Sequence, residues 1–429
     1  MVQKMRKMKD SGIEWIGEIP EGWEITKIKH IVSSVTDIDH FMPDSAEFGI
    51  PYLMIGDLKD LSSSIDWDSS KKISIEDYKK LSIKSRPQIG DIIFARYASI
   101  GTTCYIDTDR DFLVSYACLT IHPSDLIIGK FLSYYLKSSS FAEDVLRRTN
   151  SNTQGNVGKD SLVNATIVLP SIIEQTQIVN FLDAKCSDIN AMLSKTRAST
   201  EEYKKLKQAV ITQAVTKGVR GEREMKDSGV EWIGEIPAEW SICPLKRLAA
   251  IQTGSTPSKT SSESFYSSIA GTPWIKPDNL GFSSSIETTA EFLTEEGCSV
   301  ARILPSNTVY VGCIGSRIGN CGYSLIPCAC NQQINALIFN ARMYWKYGWY
   351  LTIFQEEQYM LLANGNVIQI INSTTQGNIS CIVPSISEQR EITAYLDAKC
   401  AEIDGLIAKK EQLVKELESY KKSLIYEVV

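Results

Sequence analysis

At 429 residues the chain is long enough for two or three domains, each able to bury its own core. Hydrophobic residues make up 43% and charged residues 22%, and no run of 18 apolar residues occurs, which argues against a disordered, collagenous or membrane-spanning chain. With 45 lysines and arginines against 51 aspartates and glutamates the formal net charge is −6, so any polyanion must be met by local patches or through a basic partner.

The chain opens on a basic stretch, Met1 to Met8, followed by Asp10-Ser-Gly rather than an apolar run. The expectation is therefore no signal peptide and a cytoplasmic protein. The segment Met8-Lys-Asp-Ser-Gly-Ile-Glu-Trp-Ile-Gly-Glu-Ile-Pro20 returns as residues 225–237 with one conservative change in thirteen positions, at an offset of 217. Further on, Pro170-Ser-Ile-Ile-Glu-Gln175 returns as Pro384-Ser-Ile-Ser-Glu-Gln389, and Phe181-Leu-Asp-Ala-Lys-Cys186 as Tyr395-Leu-Asp-Ala-Lys-Cys400, both at an offset of 214. The chain is two copies of one unit, in which constant frames hold divergent inserts. The boundaries read as a constant segment 1–20, a first insert 21–169, a helical region 170–224, the repeated segment 225–237, a second insert 238–383 and a helical region 384–429.

Each insert carries short β-branched and aromatic runs punctuated by Gly, Ser and Pro, such as Asp91-Ile-Ile-Phe-Ala and Thr308-Val-Tyr-Val-Gly. Each is expected to be an α+β domain of roughly 150 residues. The constant regions read as helices: residues 171–217 contain no Gly or Pro, and Ser171 with Glu174, repeated by Ser385 with Glu388, forms a capping box. In the second copy Leu396, Cys400, Ile403, Ile407, Val414, Leu417, Leu424 and Val428 make a heptad stripe, with Lys410 and Lys421 in seam positions. The first copy keeps the register with Leu182, Cys186, Ile189, Leu193, Tyr203 and Val210 but places Thr196, Thr200 and Lys207 in it. Such a helix, roughly 66 Å long, exceeds what one domain core needs. The expected fold class is α+β: two globular domains separated by two long helices in an antiparallel coiled coil, related as a pseudo-twofold internal repeat. Each constant N-terminal segment should dock where a helix ends, the first beside Val429 and the second just after Gly218.

Eleven scattered cysteines, an odd count, read as reduced buried thiols. Cys313, Cys321, Cys328 and Cys330 crowd together, but no C-x-x-C occurs and the three histidines lie far away in sequence, so no metal site is expected.

The frame M-K-D-S-G-x-E-W-I-G-E-I-P-x-x-W, then P-S-x-x-E-Q, then a long helix, all present twice and in order, resembles the specificity subunit of Type I restriction-modification systems across essentially the whole chain. That resemblance implies two target recognition domains, each reading one half of a bipartite asymmetric sequence in double-stranded DNA. It also implies helices that space the domains and bind two methyltransferase subunits, with restriction/translocase subunits where present, and no membrane. The chain itself should be catalytically silent and without a cofactor, because it has no P-loop, no G-x-S-x-G, no H-E-x-x-H and no Asn-Pro-Pro-Tyr-like motif. Two rival readings are a coiled-coil adaptor carrying two protein-binding domains and a metal-dependent nuclease using Asp44, Asp57 and Lys59. The net charge of −6 fits a subunit whose partners supply the phosphate contacts, so the isolated chain should bind DNA weakly.

Base readout needs Arg, Lys, amide or hydroxyl side chains on loops able to enter a groove. The first candidate loop supplies Arg96, Tyr97, Ser99 and Thr102, and its counterpart Ser316, Arg317 and Asn320; aligning the copies sets Arg96 against Ile314 and Ser99 against Arg317. The second supplies Arg148, Asn152, Gln154, Asn156 and Lys159. Its counterpart is ambiguous between Gly365-Asn366-Val and Thr375-Gln376-Gly-Asn378. The aromatic groups Tyr134-Tyr135 and Tyr344 to Tyr350 are assigned to packing, and Trp15, Trp23, Trp232 and Trp240 to anchoring the domains on the helix ends.

Overall fold

The computed structural model describes residues 7–97, 101–148, 156–257, 262–281, 285–365 and 368–429. The chain divides into two compact units, residues 1–196 with 413–429, and residues 197–412.

In the first unit a four-stranded antiparallel sheet runs in the order Val32–Thr36, Cys118–Pro123, Ile92–Ala95, Thr103–Tyr105. The sequence Ile92-Ile-Phe-Ala is buried on both faces, as expected of an unbroken apolar strand with cover on either side. One face packs on Phe131, Leu132, Phe141 and Val145 of the helices Gly129–Tyr135 and Ser139–Arg148, with Phe94 and Phe141 meeting edge to face at 5.9 Å. The other face covers a smaller core containing Leu53, Ile93, Phe112 and Val114. A three-stranded sheet, Lys72–Ile73, Ile50–Leu53, Leu113–Val114, holds the Ile50 strand parallel to the Leu113 strand. Strand Glu24–Lys27 pairs with Thr166–Leu169, so the beginning and end of the insert are stitched together just before the long helix begins.

The second unit repeats this plan. Its four-stranded sheet runs Ala249–Thr253, Ile334–Phe339, Thr308–Gly312, Cys321–Ser324, the parallel pair is Thr272–Ile275 with Ala329–Cys330, and Ser241–Pro244 pairs with Ser380–Val383. The duplication seen in the frames therefore extends through inserts whose sequences have diverged.

The two constant helices span Ile172–Lys217 and Ile386–Val428. Within each unit a stretch of one lies antiparallel to a stretch of the other. In the first, Leu182, Cys186, Ile189 and Leu193 share a buried cluster with Leu424 and Ile425, flanked by Val414, Leu417 and Val428. In the second, Leu396 and Ile403 are buried, Ile407 is half-buried, and the seam lysine Lys207 bonds both carboxylate oxygens of Asp404 at 2.8 Å. The other seam lysines are also engaged: Lys421 reaches Asn190 and Asp60, each at 3.1 Å, and Lys410 lies 5.5 Å over the Tyr203 ring. These long cations bury their stems and keep their charges paired, which is how a coiled coil tolerates them in a seam.

The first helix starts on the expected capping box, Ser171 Oγ accepting the Glu174 amide at 3.3 Å and Glu174 accepting the Ser171 amide at 3.4 Å. In the second copy half of that box is replaced. Ser385 still accepts the Glu388 amide, but the Glu388 carboxylate turns inward to Trp240 Nε1 at 2.9 Å and Arg223 at 2.5 Å. Arg223 also donates to the Lys217 carbonyl, so one guanidinium ties the end of the first helix to the start of the second. The first helix stops at Gly218, whose φ of +76° is the left-handed conformation a helix terminator requires. In the first unit Ile16, Ile19 and Trp23 of the constant segment share a core with Val429.

Candidate nucleic-acid interface

The antiparallel registers decide which loops lie together. Thr36 pairs with Thr120, Ala95 with Cys118 and Phe94 with Thr103, so the segments after Thr36 and Ala95 and before Thr103 and Cys118 emerge at one end of the sheet. The same holds in the second unit, where Thr253 pairs with Asn335, Gly312 with Ile334 and Val311 with Cys321.

The registers also correct the alignment. The Arg96 amide donates to Ala117 and receives Val157 on its carbonyl; the Cys313 amide donates to Gln333 and receives Ile371. Arg96 is therefore equivalent to Cys313, not Ile314, and the second copy has one residue more before Gly101 and Gly319, which share φ values of +91° and +85°. Val157 then corresponds to Ile371 and the short helix Lys159–Asn164 to Ser373–Gly377, an offset of 214 that neither of the two short sequence matches gives. Gln376 consequently occupies the position of Leu162, and both are fully buried.

The expected DNA-facing role of Gln376 is thus overturned: its Oε1 accepts from Asn335 Nδ2 at 2.7 Å inside the domain. Asn378, exposed at the helix end, accepts from Lys246 at 2.7 Å. Arg148 is held by structure as well. Its Nε bonds both oxygens of Asp144 at 3.1 Å, and the buried Asp144 carboxylate in turn accepts the Thr166 amide. Arg96 lies only 14% exposed, paired to Asp37 at 3.1 Å, beside the exposed Tyr97 ring. Its charge is directed back into the domain, which leaves Tyr97 as the exposed member of that loop among the described residues, with Thr102 half-buried. In the second unit Ser316 and Arg317 are exposed on a tight turn between two strands, and the Arg317 contact to Asp278 is loose at 3.6 Å. Asn320 closes the turn through its amide to Arg317 O. Asn156 and Lys159 are exposed; Ser99, Asn152, Gln154 and Asn366 lie outside the described residues. Sequence reasoning passed over Asn331-Gln332-Gln333, a polar loop at the same sheet end, although an amide run directly before an apolar strand was a usable signal.

Each domain is fastened to its helix by the same side chains. Gln175, fully buried, accepts the Ile128 amide at 2.8 Å and donates to the carbonyls of Pro170 and Leu126; Gln389 does the same with Tyr344, Pro384 and Arg342. Lys130 and Tyr134 both bond Asp183 at 2.7 Å, and Lys346 and Tyr350 bond Asp397 at 2.6 and 2.9 Å. Burial pushes the Tyr134 and Tyr350 hydroxyls far above the ordinary tyrosine value, so both remain protonated donors. Trp23 and Trp240 point their Nε1 groups at Glu174 and Glu388, which anchors the constant segment at each helix start.

A model described as "Type I restriction modification DNA specificity domain" matches residues 20–198 and again 237–416. The chain belongs to this family. Two specificity domains thus account for most of its length. It is 25% identical over 427 residues to the putative type I restriction enzyme MjaX specificity subunit of Methanocaldococcus jannaschii, covering 96% of this chain and 93% of that one. The MjaVIII specificity subunit of the same organism is 24% identical over 424 residues, covering 95% and 92%. A solved chain described as the structural basis underlying complex assembly and conformational transition of the type I R-M system superposes with a TM-score of 0.71 at 16% identity, covering 96% of this chain and 98% of that one, a likeness of fold.

The nuclease alternative loses its central residue in the specificity fold. Asp57 accepts the Met54 amide at 2.7 Å and closes a short turn, and Asn279 closes the equivalent turn onto the Lys276 amide at 2.8 Å. A neutral amide performs the same task, so the carboxylate is explained by local structure. Among the described residues no group of three or more His, Cys, Asp or Glu is arranged to hold a metal ion, and no helix is long and apolar enough to cross a membrane.

Proposed function

We propose that side chains at the shared sheet end of each specificity domain touch DNA: the exposed Tyr97, Asn156 and Lys159 with the half-buried Thr102 in the first, and the exposed Ser316 and Arg317 with the half-buried Asn320 in the second. Asn378, beside Lys246 ahead of the strand Ala249–Thr253, is a further candidate away from that end. The chain is the DNA-specificity component of a type I restriction-modification system, a targeting subunit that directs chemistry carried out by others. Each domain reads one half of a bipartite target. The helices space the halves and dock methyltransferase subunits, two of them in this proposal, with restriction subunits joining where the system has them, and the complex works in the cytoplasm. The observation that carries this reading is one backbone scaffold, duplicated, presenting different polar side chains from the same sheet end. Base discrimination with a constant frame and variable donors is what that arrangement is suited to.

The test is to map methylated bases in a host carrying the chain with its methyltransferase, then exchange residues 238–383 for the second insert of another family member. One half of the methylated motif should change. Changes in both halves, or no methylation with the unaltered chain, would refute it.

A further inference from the structure

The loop Ser115–Ala117 of the first domain and the loop Asn331–Gln333 of the second are equivalent. The Ser115 amide donates to Leu53 O at 2.9 Å and the Asn331 amide to Ile275 O at 3.1 Å, at matching places in the two parallel strand pairs. Ala117 and Gln333 accept the matching amides of Arg96 and Cys313. By the sheet register Thr36 corresponds to Gln252, and counting four residues on along each loop sets His40 against Thr256. At this one pair of positions two side chains from different loops meet in both domains. The His40 ring stacks on Tyr116 with centroids 4.6 Å apart, while the Thr256 hydroxyl donates to Gln332 Oε1. His40, Thr256 and Gln332 are exposed and Tyr116 is half-buried, at the sheet end that also carries the Tyr97 and Arg317 loops.

We infer that Thr256 with Gln332, and His40 with Tyr116, are specificity-determining pairs, each reading a base edge in the half-site of its own domain. The inference rests on the two-half-site reading. The two pairs join corresponding loops of the two domains and differ completely in side-chain chemistry, which is what reading two different half-sites requires. Neither pair contains a lysine, arginine or carboxylate, so neither is suited to the charge-driven phosphate contacts that merely position a protein on the duplex. Gln332 carries the donor and acceptor pattern that matches the N7 and N6 edge of adenine in the major groove. Thr256 occupies one lone pair of Oε1 and fixes the amide plane, and the Nε2 hydrogens have no partner among the described residues. Thr256 is accordingly a positioning residue for Gln332, and the base it serves is an adenine in the second domain's half-site.

The experiment uses the full chain co-expressed with its methyltransferase, with methylated sites read by sequencing and rates measured on duplexes varied at each motif position. Gln332→Ala should lower discrimination at one adenine position of one half-site by roughly 5- to 150-fold, the range of a lost bidentate base contact, and leave the other half untouched. Thr256→Val should relax the same position and Thr256→Ser restore it, a rescue that a purely structural role would not produce. Tyr116→Ala should alter only the opposite half-site. An unchanged motif and rate in Gln332→Ala, or a rate loss spread evenly over all sequences, overturns the assignment while leaving two-half readout standing. Absence of methylation by the unaltered chain overturns the underlying reading and the assignment with it. Unchanged melting temperatures of the exposed-site variants keep these outcomes distinct from misfolding.

Discussion

Replacing Gln389 by alanine should detach the second domain from its helix with a cost that can be worked out from its contacts. The buried side chain accepts one amide hydrogen, from Tyr344, and donates to two carbonyls, of Pro384 and Arg342. Truncation leaves one donor and two acceptors without their partner, the Pro384 carbonyl buried and the Tyr344 amide and Arg342 carbonyl part-buried, each costing up to about 1–3 kcal/mol, the carbonyls at the lower end. Removal of four heavy atoms adds a small cavity worth about 1 kcal/mol. The total, about 4–6 kcal/mol, is a large share of the 5–15 kcal/mol that holds a typical domain folded. Gln389→Glu should fare no better, because the carboxylate keeps an acceptor for Tyr344 but turns lone pairs toward two carbonyls. Hydrogen exchange localises the effect: amides of the helix Trp345–Phe354 should lose protection in Gln389→Ala, and those of Gly129–Tyr135 in Gln175→Ala. Urea unfolding with both signals gives the size. A loss below about 1 kcal/mol, or protection lost equally in both domains, would refute the view that these glutamines are the fasteners.

Leu396→Asp combined with Ile403→Asp places two carboxylates in the buried seam, the first of them also in the main core of the second domain, and should cost several kcal/mol, abolishing assembly with the methyltransferase on a sizing column while the core of the first domain keeps its exchange protection. Ten of the eleven thiols are buried, and burial raises Cys104, Cys118 and Cys330 to about 12, so a thiol reagent at neutral pH should modify chiefly the partly exposed Cys298 until the protein is unfolded. Burial would raise the Asp60 carboxyl, but Lys137 and Lys421 outweigh it and hold it at about 2 against an ordinary 3.8. Its contribution, at most about 1 kcal/mol for a side chain half open to solvent, is present above about pH 4 and lost as pH falls toward 2; an acid titration of Asp60→Asn should lack that component.

The duplication, the long helices and their seam were legible because they depend on period and identity, properties that a sequence carries directly. Lys207 and Lys421 broke the apolar stripe as read, and the structure gives the reason: each finds a partner across the seam, a relation invisible along one helix. The recognition loops were harder. Thr375-Gln-Gly-Asn matches Thr153-Gln-Gly-Asn by letters, yet the sheet register sets Gln376 opposite the core residue Leu162. A polar residue in an apolar slot looks like a surface residue until its partner, Asn335, is seen. Arg96 and Arg148 stand out in the sequence by their charge, and what decides their roles is the acid each one meets, Asp37 after the strand Val32–Thr36 and Asp144 one helical turn back.

The lysine–tyrosine–aspartate contact that recurs at each helix has a practical consequence for anyone transplanting inserts. The aspartates, Asp183 and Asp397, belong to the constant helices, whereas Lys130 with Tyr134 and Lys346 with Tyr350 travel with the insert, four residues apart on one helical face. Each insert thus carries its own plug for a socket that is the same in both copies. A graft should seat when it brings a lysine and a tyrosine at that spacing in the matching helix, and a graft without them would leave a part-exposed carboxylate without its two partners. New half-site combinations can therefore be screened on paper, by those two residues, before any chain is made.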